Sequence, residues 1–371
     1  MRITFVLPMF LATPAGGFKI VYEYANRLQA RGHQVSVVHP RNIKPQAGLI
    51  EKLKSWLWPL KLRLSHRPLI GWFSLSGAVQ AFLVPDLCAD NLPEADVIIA
   101  TAYETAFAVN EAGTSKGKKY YLIQSFEDWD DSIERARASW QLPLQKIVIS
   151  QWLYDLACEL GEADATNYVP NGLNFSEFYL TRAIAERQQP CVAMMVHPLA
   201  FKGTSDGLAA LKIARTRTPN LQAMLFGTEP RTPDIPNWCE YVQLPSTNQL
   251  REIYNDASVF LHPSTNEGWG LPALEAMACG CALIAADNRG IRDFVVTDKN
   301  AFVVPVKRPD LLAEKLHEVL TNHDLRVRLA REAQHSAQRF TWERAAVSFE
   351  KVLTNDVIAP IRPPTLPAVS V

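Results

Sequence analysis

The chain has 371 residues, 48% of them hydrophobic, and its 38 basic side chains balance 38 acidic ones. That length suffices for two cores of ordinary domain size. A formal net charge of zero excludes a global field that would recruit nucleic acid or an anionic membrane, so any such partner must use a local patch.

"MRITFVLP" reads as a buried parallel strand, "ATPAGGFKIVYEYANRLQARGH" as a Gly-rich turn followed by an amphipathic helix, and "QVSVVHP" as the next strand. This is a βαβ unit at the start of the chain. "EKLKSWLWPLKLRLSHRPLIGWF", residues 51–73, sets Lys52, Lys54, Lys61, Arg63 and Arg67 among Trp56, Trp58, Trp72 and Phe73, against one acid, Glu51. Such a segment suits an anionic bilayer surface and a lipid-linked acceptor, or else core aromatics with a wet charged face. Pro59 argues against one long helix there. "ADVIIAT", "KYYLIQS" and "KIVIS" are further strands separated by helix-length stretches, as in a doubly wound parallel sheet.

After "YVPNGLN" at 168–174 and a polar stretch to Gln189, the pattern begins afresh. "CVAMMVHP", "LQAMLFG", "YVQLP", "VFLHPS", "ALIAAD" and "AFVVP" are strands, and "SDGLAALKIARTRTP", "TNQLREIYNDA" and "PALEAMACG" are helices between them. Two α/β domains are therefore expected, 1–178 and 179–340, with a ligand cleft at the carboxyl ends of their strands. "PDLLAEKLHEVLTNHDLRVRLAREAQHSAQRF" and "TWERAAVSFEKVL" are the last periodic segments, and 358–371 is a Pro-rich flexible tail.

Six cysteines, Cys88, Cys158, Cys191, Cys239, Cys279 and Cys281, form no CxxC pair and no zinc-like spacing with histidine. The opening residues read as a strand and not as a leader, and no apolar run reaches the ~18 residues of a span. A cytoplasmic location is expected, with peripheral contact on the inner membrane face the other reading.

Gly16 and Gly17 lie between the first strand and first helix, where backbone approaches a ligand closely or simply turns. Lys202 in "HPLAFKG" emerges at a strand end, placed to meet a pyrophosphate or to stand as an ordinary surface lysine. "HPSTNEGWGLPALEAMACGCALIAADNRG", residues 262–290, puts Glu267 and Glu275 eight positions apart around a Gly-Trp-Gly-Leu-Pro loop. Amides of that loop and of the helix start can hold anionic oxygens, and each carboxylate can accept from adjacent sugar hydroxyls. A helix-start preference accounts for Glu275 alone and not for Glu267. Neither sheet opens with GxGxxG, which counts against a dinucleotide enzyme.

"EGWGLPALE" resembles the E-x7-E motif of retaining glycosyltransferases of the GT-B fold, family 4, and "FKG", "VPNGLN", "LFG" and the N-terminal "GG" match in order over about residues 1–355. The resemblance implies two Rossmann-like domains facing a cleft that closes by hinge motion. It also implies a final helix, about 341–357, that crosses back to the N-terminal domain. Donor binding would fall to Gly16, Gly17, His197, Lys202, Gly227, Glu267, Gly268, Trp269, Gly270, Leu271 and Glu275, with Glu275 on the ribose and Glu267 near the donor sugar. His197 stands where the family usually has arginine, five positions before Lys202. "YLIQSFEDW" stands where members often carry a histidine, which nominates Gln124, Glu127 and Asp128, with Asn171, for the acceptor side.

Front-face attack, with the leaving diphosphate helping to take the acceptor proton, is the mechanism the resemblance implies, and Glu267, Lys202 and Glu127 are expected to carry it. "EDWDD" at 127–131 is the nearest approach to a metal motif, and no metal and no cofactor are expected; the nucleotide-diphosphate sugar is a substrate. The expected reaction is sugar transfer to a saccharide or lipid-linked acceptor in cell-surface polysaccharide or glycolipid synthesis. A sugar-nucleotide epimerase and a catalytically lapsed sugar-nucleotide or glycan-binding protein are the other readings.

Overall fold

A computed structural model describes residues 1–44, 50, 53–54, 56–58, 60, 70–127, 133–354 and 361–362. It divides into two compact units, Met1–Asn171 with the described residues from Trp342 onward, and Gly172–Thr341.

In the first unit seven parallel strands, β1 (Arg2–Val6), β2 (Gln34–Pro40), β3 (Gln80–Val84), β4 (Val97–Ala100), β5 (Lys118–Ile123), β6 (Gln145–Val148) and β7 (Thr166–Tyr168), lie in the order β3-β2-β1-β4-β5-β6-β7. The second unit repeats the plan. Its strands are β8 (Cys191–Met195), β9 (Gln222–Gly227), β10 (Cys239–Gln243), β11 (Val259–His262), β12 (Ala282–Ala286) and β13 (Ala301–Val304). They run parallel in the order β10-β9-β8-β11-β12-β13. In each sheet the strand order reverses beside the first strand, so loops leaving neighbouring strand ends diverge there and open room for a ligand. The central strands β4, β11 and β12 are buried along their whole length. Helices cover both faces of such sheets, so alternation gives way to continuous apolar runs.

The helix Gly16–Ala30 buries Phe18, Val21, Tyr22, Ala25 and Leu28 at helical spacing. Beside it lies the last helix, Trp342–Thr354, which buries Trp342, Ala345, Ala346, Phe349, Val352 and Leu353. Phe349 stacks on Tyr24 with ring centroids 4.2 Å apart and on Phe5 at 6.1 Å. At the rim of that contact, Glu350 receives Arg31 and, at 2.7 Å, the His33 ring. Ile361 accepts from Tyr168 N–H at 2.7 Å and donates to Asn167 Oδ1 at 2.9 Å, beside β7. The remainder of the Pro-rich run after Thr354 lies outside the described residues, as do Asp128, Lys52, Pro59, Lys61, Arg63 and Arg67.

Candidate functional site

In the second unit the chemistry-bearing residues all follow carboxyl ends of parallel strands. The chain leaving β8 passes His197 and turns through a short helix, Ala200–Lys202, before Gly203 at φ +67° opens the helix Thr204–Arg217. A Cβ at Gly203 would lie 2.1 Å from the Pro263 carbonyl oxygen, so the lysine turn can sit this close to the β11 end only without a side chain there. Thr204 Oγ1 closes the turn, donating to the His197 carbonyl and accepting the His197 N–H, each at 2.9 Å.

These contacts bring Lys202 and Glu267 together. Lys202 Nζ donates to both Glu267 carboxylate oxygens at 2.8 Å. Glu267 is 8% exposed. Burial pushes its acidity the other way, but the Lys202 charge, the nearby His262 and hydrogen bonds from Lys202 and Ser264 hold its carboxyl below the ordinary range, so it is an anion at neutral pH. His197, by contrast, has its pKa lowered by burial and then by Lys202. It accepts the Leu199 N–H on Nδ1 at 3.2 Å, so it contributes a neutral ring and not a second cation at neutral pH.

Gly268, Trp269 and Gly270 form a buried loop. Trp269 turns its ring into the unit, against Phe294 and Phe340 at 5.5 Å each, so it anchors the loop from below. Gly270, at φ +104°, begins the helix Leu271–Ala278 with Pro272 in its first turn. Glu275 lies in that helix, 5% exposed, and accepts the Tyr254 hydroxyl at 3.3 Å. The segment after β12 supports the loop from the side: Glu267 N–H donates to the Asn288 carbonyl at 3.1 Å, and Gly290 packs beneath Glu267 and Trp269. Gly227 ends β9 against the Val196 carbonyl, where a Cβ would come within 2.4 Å.

In the first unit Gly17 lies over Gln124, whose amide would be 3.5 Å from a Cβ at Gly17, while Gly16 has open space at that position. Gln124 Oε1 and both amide atoms of Asn171 are buried without a hydrogen-bond partner, the pattern of polar groups that a bound hydroxylic molecule or water completes. Glu127 is engaged otherwise: its Oε2 accepts the Tyr103 N–H at 2.6 Å, at the start of the helix Tyr103–Glu111. Among the described residues no cluster of three His, Cys, Asp or Glu side chains could hold a metal ion.

His262, Ser264, Tyr254, Asn288 and Gly290 escaped the reading of the sequence. A histidine closing the otherwise apolar strand "VFLH" was the available signal for the first; the others act through contacts between segments far apart in the chain.

Residues 183–336 match the family model described as glycosyl transferases group 1. The match lies wholly within the second unit. Over 101 residues the chain is 39% identical to a D-inositol 3-phosphate glycosyltransferase of Streptomyces bingchenggensis, a match covering 27% of this chain and 22% of that relative. A second such enzyme, from Xylanimonas cellulosilytica, is 38% identical over 100 residues, 27% of this chain and 24% of the relative. The chain thus spans about a quarter of the length of the curated relatives it matches. Among solved structures, HepE of Anabaena in complex with UDP-glucose superposes with TM-score 0.72 at 17% identity, covering 96% of this chain and 100% of that one. Sucrose-phosphate synthase from Thermosynechococcus elongatus superposes at 0.70 and 17%, covering 95% and 98%. The two parallel-sheet units therefore have the GT-B fold.

Proposed function

We propose that the chain is a retaining glycosyltransferase that moves a sugar from a nucleoside diphosphate sugar to a hydroxyl of a saccharide or lipid-linked acceptor in polysaccharide or glycolipid synthesis. The observation that carries this is the pairing of Lys202 with Glu267 beside the Gly268–Gly270 loop, with Glu275 one helix turn further in. A cation at a strand end meets the diphosphate, the helix mouth offers amides to its oxygens, and two buried carboxylates take ribose and sugar hydroxyls. The protein's part in the reaction is to position the donor and to stabilise charge developing on the departing diphosphate. The leaving group itself helps accept the acceptor proton, and the reaction proceeds without a metal. Gln124, beneath Gly17, and Asn171 each hold unsatisfied buried polar atoms that acceptor hydroxyls could complete. Glu127, committed to the Tyr103 amide, acts there as a helix cap.

A lipid-linked acceptor is favoured by a second observation. Ile50, Leu53, Trp56, Leu57 and Leu60 are all exposed, between 46% and 74%, and at helical spacing they share one side, about a third of the circumference. Trp58 points elsewhere, its ring 6.0 Å from Phe10. Neutralising Lys52, Lys54, Lys61, Arg63 and Arg67 should abolish co-sedimentation with anionic liposomes; unchanged sedimentation would remove the membrane contact from this reading.

UDP-glucose and UDP, the ligands named for the HepE structures, make UDP-sugars the first donors to try. In a thermal-shift panel of UDP-, GDP-, dTDP- and ADP-sugars, a ligand at 100 times its Kd adds about 2.7 kcal/mol. One donor should stabilise the wild type and not Glu275→Ala. If no donor stabilises either protein, the transferase reading fails. Donor turnover without any acceptor would favour the epimerase.

A further inference from the structure

His262 is the last residue of β11 and is 1% exposed. Its ring lies nearly parallel to that of Phe260, 6.0 Å away and tilted 24°, which leaves it little freedom to turn. Its Nε2 has no hydrogen-bond partner. That nitrogen is 3.9 Å from Glu267 Oε1 and 3.6 Å from where a Cβ on Gly270 would stand, so it faces the Glu267–Gly270 loop. An orphaned polar atom this deep is costly unless some state of the protein uses it.

Lys202 supplies that state. In the structure its ammonium spans both oxygens of Glu267. The proposed function asks the same ammonium to meet a diphosphate, and it cannot make both sets of bonds at full strength. Lys202 is the movable member of the group: its side chain is 19% exposed, against 2% for His262 and 9% for Glu267. If it turned away, a buried carboxylate would lose its cation, which is among the more costly events in a protein interior. Ser264 still bonds Glu267, but a hydroxyl brings no charge to replace the ammonium.

We propose that His262 is a positioning residue that takes over the Glu267 carboxylate when Lys202 turns to the diphosphate, keeping Glu267 aimed at the donor sugar. Closing the 3.9 Å gap to hydrogen-bond distance needs a movement of about 1 Å. Burial pushes the imidazole down to about 4. It is thus neutral at working pH, and in the tautomer that carries its hydrogen on Nε2 it donates without any proton changing hands. The exchange rests on the transferase reading for its trigger, but its parts can be tested without any donor.

The test is a melting-temperature cycle on the full chain: wild type, Lys202→Met, His262→Leu and the double variant, repeated with His262→Gln, whose amide nitrogen reaches where Nε2 stands. With Lys202 in place, His262→Leu should cost little. Once Lys202→Met has removed the cation from the carboxylate, it should cost at least about 3 °C more, and His262→Gln should recover most of that. Equal losses in both backgrounds, or no recovery by glutamine, overturn the proposal. Should Lys202→Met fail to fold, Lys202→Gln, which keeps one amide donor to the carboxylate, replaces it. UDP-glucose as probe separates this from the wider reading: coupling that survives while no nucleotide sugar binds leaves the exchange standing and removes only its assigned trigger.

Discussion

His39, at the end of β2, is fully buried with its ring against Phe10 and Tyr22 at 5.9 Å each. Burial lowers its pKa from 6.5 to about 4, against a small opposing pull from the Met9 backbone. The unfolded chain therefore binds a proton below pH 6.5 that the folded chain refuses, and stability falls as pH drops from 6.5 towards 4. The full effect is at most about 3 kcal/mol. His39→Phe keeps the aromatic contacts and should flatten this part of the acid-denaturation curve; an unchanged curve would place the acid sensitivity elsewhere. His197 offers a prediction for binding. Because burial holds it neutral, His197→Arg adds a cation beside Lys202 and should tighten nucleoside diphosphate binding by about tenfold, read by isothermal titration. A weaker complex would mean that the position faces away from the diphosphate.

Among the elements, the loop from Glu267 to Gly270 depends on a neighbour with no chemistry of its own. A Cβ at Gly290 would stand 2.7 Å from the Glu267 carbonyl oxygen and 2.8 Å from the Trp269 amide nitrogen, both backbone atoms that cannot swing aside. Gly290→Ala should therefore shift the loop and raise the donor KM by about tenfold to 100-fold while the chain still melts cooperatively; an unchanged KM would separate loop position from donor binding. The helix Trp342–Thr354 makes a contrasting prediction. Phe349→Ala opens a hole against Tyr24 and Phe5 and should cost about 3–5 kcal/mol in thermal unfolding. Elements with long periodic patterns, such as Gly16–Ala30 and Trp342–Thr354, could be read from the chain because helical spacing of apolar residues survives any tertiary context. β3 and β7 could not. The first is five residues at a sheet edge, and the second, "TNY", buries Thr166 and Asn167 where an apolar pattern would be sought. The candidate site divides the same way: Glu267, Glu275 and Lys202 show in one dimension because glycines and prolines bracket them, whereas His262, Tyr254 and Gly290 matter only once β11, β12 and the helix Leu271–Ala278 lie side by side.

For the whole molecule, zero net charge means that the proposed donor would have to be captured by local groups such as Lys202 and not by a global field. On the proposed function the positive charge that meets the diphosphate belongs to the protein, so transfer should survive excess EDTA, assayed by release of the nucleoside diphosphate; loss of turnover restored by Mg2+ or Mn2+ would contradict a metal-free mechanism. The first unit is assembled from both ends of the chain, with Phe349 closing a core begun by Phe5 and Tyr24. On the ribosome that core stays incomplete until the helix Trp342–Thr354 has been made. The second unit need not wait: its own ends meet, Leu173 N–H donating to the Phe340 carbonyl at 3.0 Å with a bridge from Leu173 to Thr341. Residues 172–341 thus form a closed insert whose contacts are complete before the last helix of the first unit leaves the ribosome, so the unit that starts second in the sequence is the first that can be finished.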